Sequence, residues 1–186
     1  MMKWKWTARI GFTILGIACF RLNLYAQEAS EVLVKEVWEW SNGTKHIMFY
    51  NNDGELERRV VEENGEEIYS STFYYDYDET GRKTRGYSED TDGDSAVYTY
   101  KYNDKGQLIE EQWEWKDSDG GSFKAHYKYD DNNEVGECFV EDLQSGEKVY
   151  NYTVTYEYDE QGKKIQGSLK DSYNESALIS YEYAGE

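Results

Sequence analysis

The residues whose type and spacing point to chemistry are two tryptophan pairs and two glutamates. Trp38-Glu39-Trp40 and Trp113-Glu114-Trp115 repeat one pattern, with rings two residues apart. In an extended strand that spacing puts both rings on one face. There they can stack on sugar rings or anchor the side chains of a protein, which makes Trp38, Trp40, Trp113 and Trp115 the candidate ligand-binding residues. The alternative role for all four is core packing. Glu36 and Glu111 fall on the same aromatic face. A carboxyl in apolar surroundings holds its proton to higher pH and can serve as a general acid, which is the basis for an alternative reading as a hydrolase with a carboxylate acid/base. No catalytic set converges: His46 and His126 lie 80 residues apart without a Ser, Cys or Asp companion pattern. Two acidic turns, 89–94 and 117–121, carry the hard oxygen ligands that Ca²⁺ needs, but neither has the twelve-residue loop ending in Glu. They read as solvated turns, and no metal or cofactor is assigned.

Composition removes several function classes. The 186 residues carry 38 Asp and Glu against 20 Lys and Arg, a net charge of −18. A phosphate backbone demands clustered cations, so nucleic acid is excluded as a partner. Two His and two Cys are too few for the usual His/Cys metal cluster. No apolar run reaches the roughly 18–20 residues of a spanning helix. A membrane-spanning strand barrel would need an apolar outer band, whereas charges here fall on both strand faces.

Residues 1–26 differ from the rest. Lys3, Lys5 and Arg9 precede an apolar stretch, Ile10 to Phe20, and Ala26 offers a small residue before Gln27. This is the layout of a secretory signal peptide. The expected organisation is therefore a signal peptide over 1–26 and a single domain over 27–186, exported to the periplasm or cell surface. The leader holds four of the basic residues and none of the acids, so 27–186 carries 16 basic against 38 acidic side chains, a net of −22. Cys19 follows Ala18 as in a lipoprotein processing site, but Gly16 stands where Leu is usual, so plain cleavage is the favoured reading. Cys138 is then alone, makes no internal disulfide, and reads as a small buried hydrophobe.

The remainder is a repeat. Tyr75-Asp76-Tyr77-Asp78-Glu79-Thr80-Gly81 recurs at Tyr100–Gly106, Tyr127–Asn133 and Tyr156–Gly162, with a degenerate copy at Met48–Gly54 and a truncated one at Tyr181. The steps are 25 to 29 residues. Eleven Gly/Asn turn signals run from Asn42-Gly43 to Tyr173-Asn174, 11 to 16 residues apart. Evenly spaced turns between period-2 segments predict hairpins in series: an all-β, antiparallel meander of about 12 strands. One face is aromatic, as in Tyr98, Tyr100 and Tyr102, or Phe123, Ala125, Tyr127 and Tyr129. The same alternation groups Ile109 with Glu111, Trp113 and Trp115, and Val32 and Val34 with Glu36, Trp38 and Trp40. So long a meander is expected to curl as a single sheet, aromatic face inward.

These units resemble YD repeats, the Tyr-Asp repeats of Rhs-type and teneurin-type shell proteins. Tyr77-Asp78-Glu79-Thr80-Gly81-Arg82 carries the full Tyr-Asp-x-x-Gly-Arg core, and Tyr158-Asp159-Glu160-Gln161-Gly162-Lys163 has Lys for Arg. The resemblance covers about 48–183 and implies hairpins coiling into a β-shell. The chain is far shorter than such shells, so their toxin-capsule role does not carry over. It is more similar to short exported bacterial proteins of unknown function that carry such hairpins. The expectation is a non-enzymatic binding or interaction module, with a glycan or a protein as ligand. A purely structural surface protein is the third reading.

Overall fold

The aspartate of each Tyr-Asp unit builds the turn that follows it. Asp78 Oδ1 accepts the backbone N–H of Thr80 at 2.8 Å and of Arg82 at 3.0 Å, while Gly81 N–H donates to the Asp78 carbonyl at 3.0 Å. Gly81 sits at φ 81°, the left-handed region that closes a type I turn into a bulged hairpin. Asn51, Asn103, Asp130 and Asp159 repeat the arrangement, and Asn133 takes the left-handed position at φ 67° where the unit lacks glycine.

The structure is a computed structural model describing residues 32–116 and 120–184. The proposed signal peptide, with Cys19, and most of the acidic turn at 117–121 lie outside the described residues. Twelve strands run in order: β1 (Leu33–Trp40), β2 (Thr44–Tyr50), β3 (Leu56–Glu63), β4 (Glu66–Tyr77), β5 (Lys83–Asp90), β6 (Ser95–Tyr102), β7 (Leu108–Trp115), β8 (Ser122–Tyr129), β9 (Val135–Asp142), β10 (Lys148–Tyr158), β11 (Lys164–Asp171) and β12 (Ser176–Tyr183). Each pairs antiparallel with its sequence neighbour. The expected all-β meander of twelve strands is what the chain forms.

The expected curled single sheet is corrected to a closed barrel. β1 pairs with β12 from Leu33 opposite Tyr183 to Trp40 opposite Ala177. Backbone bonds at both ends, Ala184 N–H to Val32 O and Ser41 N–H to Ser176 O, each 2.8 Å, complete the seam. Closure leaves no sheet edge to pair with another chain.

A bulge near the start of every odd-numbered strand drives this and breaks the simple alternation. Opposite Asp76 and Tyr77 stand Arg85 and Lys83, so Thr84 is the extra residue. Two successive residues then face out, and Lys83 and Gly86 both face in. The same shift puts Leu108 inside with Glu111, so Ile109 is corrected from the aromatic face to the outside. It likewise brings in Leu33 with Glu36, in place of Val32 and Val34. Bulges bend a strand and raise its twist, and six of them at one barrel end supply the curvature that closure needs.

The barrel is also a duplication. Lys83, Gly86, Asp90 and Tyr100 in β5 and β6 reappear 81 positions on as Lys164, Gly167, Asp171 and Tyr181 in β11 and β12. Leu33, Glu36, Trp38 and Trp40 reappear 75 positions on as Leu108, Glu111, Trp113 and Trp115. Strands β1–β6 and β7–β12 are thus two copies of one six-stranded unit, set around the barrel.

Aromatic side chains fill the lumen. Trp38 of β1 reaches Tyr152 of β10, three strands away around the wall, with ring centroids 6.4 Å apart. Gly86 makes room for one such ring. A Cβ there would collide with the Tyr100 hydroxyl and stand 3.2 Å from Tyr98 Cβ. Gly86→Ala is therefore expected to destabilise the barrel by about 1–3 kcal/mol in urea unfolding, the cost of overpacking. Gly136→Ala, whose nearest neighbour would be 3.5 Å away, serves as the control.

Candidate functional site

The four tryptophans proposed as a binding strip are core residues. Trp38 and Trp113 are 1% exposed, Trp40 and Trp115 7%. They sit on the inward face of β1 and β7, and closure turns that face away from every ligand outside. The strip reading required a sheet open on its aromatic side.

Glu36 and Glu111 also lie inside, as their spacing predicted. Glu36 accepts Trp38 Nε1–H at 2.6 Å and the Tyr50 hydroxyl at 2.9 Å. Glu111 accepts the Tyr127 hydroxyl at 2.9 Å. Burial pushes its carboxyl up to about 8, against the opposing pull of the Tyr127 hydrogen bond and the Lys83 ammonium. That is a general acid's value. The carboxyl is nevertheless 1% exposed inside a filled lumen, where no substrate reaches it.

Other interior charges are tied into the repeat. Lys83 pairs with Glu55 of the preceding unit and lies 3.8 Å from the Tyr75 ring centre; burial pulls its ammonium down to about 8. Its duplicate, Lys164, pairs with Glu134 at 2.7 Å beneath Tyr156. Arg59 donates to Ser71 at 3.3 Å and stacks over Tyr69. Burial and Arg59 together hold His46 neutral, down to about 3. Cys138 is fully buried with its thiol pushed up by desolvation, the inert role expected of it.

The acidic turn at 89–94 is a turn. Asp90 accepts the N–H groups of Asp92 and Asp94 and the Tyr69 hydroxyl, which uses its oxygens structurally. Among the described residues no group of three or more His, Cys, Asp or Glu side chains is placed to hold a metal ion.

One feature of the outer wall sets the two halves apart. Across β4, β5 and β6 the register sets Tyr74 opposite Tyr87, and Tyr87 opposite Val97. Two pairs further along, Asp76 stands opposite Arg85. Together with Lys116 these residues line a cleft of about 250 Å³. Tyr74 is 56% exposed, the two tyrosine rings are 6.2 Å apart at 34°, and Lys116 Nζ lies 4.5 Å from the Tyr87 ring centre. The second copy places Thr155, Ser168 and Leu178 where the first has Tyr74, Tyr87 and Val97, and Glu157 and Gln166 where it has Asp76 and Arg85. Folding therefore does not require this aromatic set. Sequence reasoning passed over it because Tyr74 and Tyr87 sit among 19 tyrosines and on the polar face. The signal available was their departure from the pattern of the second copy.

The fold and site define a closed, filled, twelve-stranded antiparallel barrel with one asymmetric outer cleft. No family model matches the chain, and no curated protein does. Among solved structures it is similar to a porin-like protein from Bacteroides vulgatus, with a TM-score of 0.50 and 11% identity over 84% of this chain and 100% of that one. A porin-like protein from Bacteroides uniformis has a TM-score of 0.35 and 14% identity, covering 84% of this chain and 100% of that one. The Tc holotoxin pore of Photorhabdus luminescens has a TM-score of 0.33 and 15% identity over 75% of this chain, which spans 8% of that one. At 11% identity the first likeness is one of fold.

Proposed function

We propose that the protein is an exported, non-enzymatic binding module that recognises a glycan or a protein through the Tyr74–Tyr87 cleft. The observation that carries this is the asymmetry of the duplication: the exposed Tyr74 and half-buried Tyr87 of one half are Thr155 and Ser168 in the other. A tyrosine pair on the outer wall lies outside the lumen core, and a rigid strand wall presents it at fixed spacing. The leader over 1–26 supports export, and the Tyr-Asp-x-x-Gly turns support kinship with YD repeats.

Two features argue against a membrane pore. Strand residues on the outer wall form ion pairs, such as Lys45–Glu39 at 2.6 Å, Arg58–Glu67 at 3.1 Å and Lys128–Glu137 at 3.0 Å. A lipid-facing Lys or Arg costs roughly 2–4 kcal/mol at the bilayer midplane. The lumen is occupied by Trp and Tyr side chains that meet across it. The hydrolase reading, resting on Glu111, has no route for a substrate.

Tyr74→Ala is expected to abolish ligand capture on glycan and peptide arrays while changing the unfolding free energy by no more than about 0.5 kcal/mol, the usual effect of a surface change. Retention of every array signal by Tyr74→Ala and Tyr87→Ala would remove the cleft as the binding site, and absence of any signal from the wild type would leave the structural-protein reading in its place.

A further inference from the structure

We propose that the cleft binds one neutral pyranose ring, held by its C–H face on Tyr74 and Tyr87 and by vicinal hydroxyls between Asp76 and Arg85. The inference rests on the binding-module reading and names its ligand class.

Size is the first argument. At about 250 Å³ the cleft falls just below the roughly 300 Å³ at which drug-sized sites begin. A protein partner needs roughly 800 Å² of surface on each side, far more than this cleft offers. A single sugar ring suits the space.

Chemistry is the second. A pyranose has an apolar C–H face and an equatorial rim of hydroxyls, each both donor and acceptor. The cleft matches both. Two tyrosine rings supply the platform, and Lys116 braces one of them. Asp76 and Arg85 lie two residues along the same strands, about 7 Å from the tyrosine pair at the ordinary strand rise. Asp76 accepts hydrogen bonds from hydroxyls and Arg85 donates to them, so neighbouring hydroxyls are satisfied together.

Charge is the third. Arg85 and Lys116 are balanced locally by Asp76 and by Glu114, which stands opposite Val97. The protein around them is strongly acidic. That field repels an anionic sugar, whereas a neutral one loses nothing.

The test is a chemical-shift titration of the full chain with methyl β-glucopyranoside, methyl α-mannopyranoside and methyl β-galactopyranoside, with galacturonate as the charged comparison. At least one neutral glycoside is expected to shift the Tyr74 and Tyr87 ring resonances. Its affinity is expected to fall at least about tenfold in Tyr74→Ala and in Asp76→Ala, as for an anchor contact. Thr155→Ala, the equivalent site in the other half, is expected to change nothing. Binding of galacturonate more tightly than of the neutral glycosides overturns the inference, as does sugar binding that survives Tyr74→Ala. If no glycoside binds but a displayed peptide library enriches on the wild type and not on Tyr74→Ala, the sugar assignment falls and the cleft remains a binding site. If neither ligand class binds, both readings fall.

Discussion

Trp113→Ala is expected to lower the stability of the barrel by about 3–5 kcal/mol, the range for emptying a large aromatic site in a packed core. Trp113 is 1% exposed and stacks on Phe123 of the neighbouring strand at 5.6 Å. Trp38→Ala, its duplicate, is expected to lose at least as much. Truncation there also removes the indole N–H that Glu36 accepts at 2.6 Å, which takes one donor from a buried carboxyl group. Urea unfolding followed by circular dichroism measures both. An open aromatic strip would give the opposite result: near-neutral stability and lost binding. A loss below about 1 kcal/mol at Trp113 would refute the closed core. Paired with Tyr74→Ala, the experiment separates the aromatic residues that hold the protein together from those that it presents.

The second large effect is in pH. Glu111 keeps its proton up to about 8 in the folded barrel, whereas the unfolded chain releases it near 4.5. The folded state therefore binds more protons over that window, and the stability present below pH 4.5 is lost as pH rises toward 8. His46 acts in the opposite sense. It stays neutral down to about 3 when folded but protonates near 6.5 when unfolded, so its contribution is lost as pH falls from 6.5 to 3. Each proton is worth about 1.4 kcal/mol per pH unit. Between 4.5 and 6.5 the two slopes cancel and stability is flat. Between 6.5 and 8 the Glu111 slope leads, offset near pH 8 by Lys83, whose ammonium is pulled down to about 8 when folded, and the wild type is expected to lose roughly 1–1.5 kcal/mol. Two groups oppose the shift of Glu111: the hydroxyl of Tyr127 on β8, through its hydrogen bond, and the charge of Lys83 on β5. Glu111→Gln is expected to flatten the curve from 6.5 to 8, and His46→Gln to expose a falling slope from 4.5 to 6.5. Unfolding midpoints at half-unit pH intervals check both. A wild-type curve unaltered by either substitution would mean that these groups titrate alike in the folded and unfolded chain.

Most of the local structure was legible in order along the chain. Asp78 and Gly81 specify their turn through contacts four residues apart, so the hairpins could be read from spacing alone. Strand faces followed from alternation wherever it was unbroken, as in Phe123, Ala125, Tyr127 and Tyr129. It failed at Ile109 and Val34 because a bulge is a relation between two strands. The extra residue shows only when Tyr102 is set against Leu108, or Leu33 against Tyr183.

Sequence alone thus determined the strand order, the turns, the aromatic face and the inward placement of Glu36 and Glu111. All of these depend on short-range backbone chemistry and on the period of two. Tertiary structure decided whether that face was covered, because closure rests on β1 meeting β12, about 140 residues apart, with twist accumulated over eight bulges. That one pairing turned the tryptophans from a surface into a core. It also left Tyr74 and Tyr87 on the outer wall, among the aromatics outside the core.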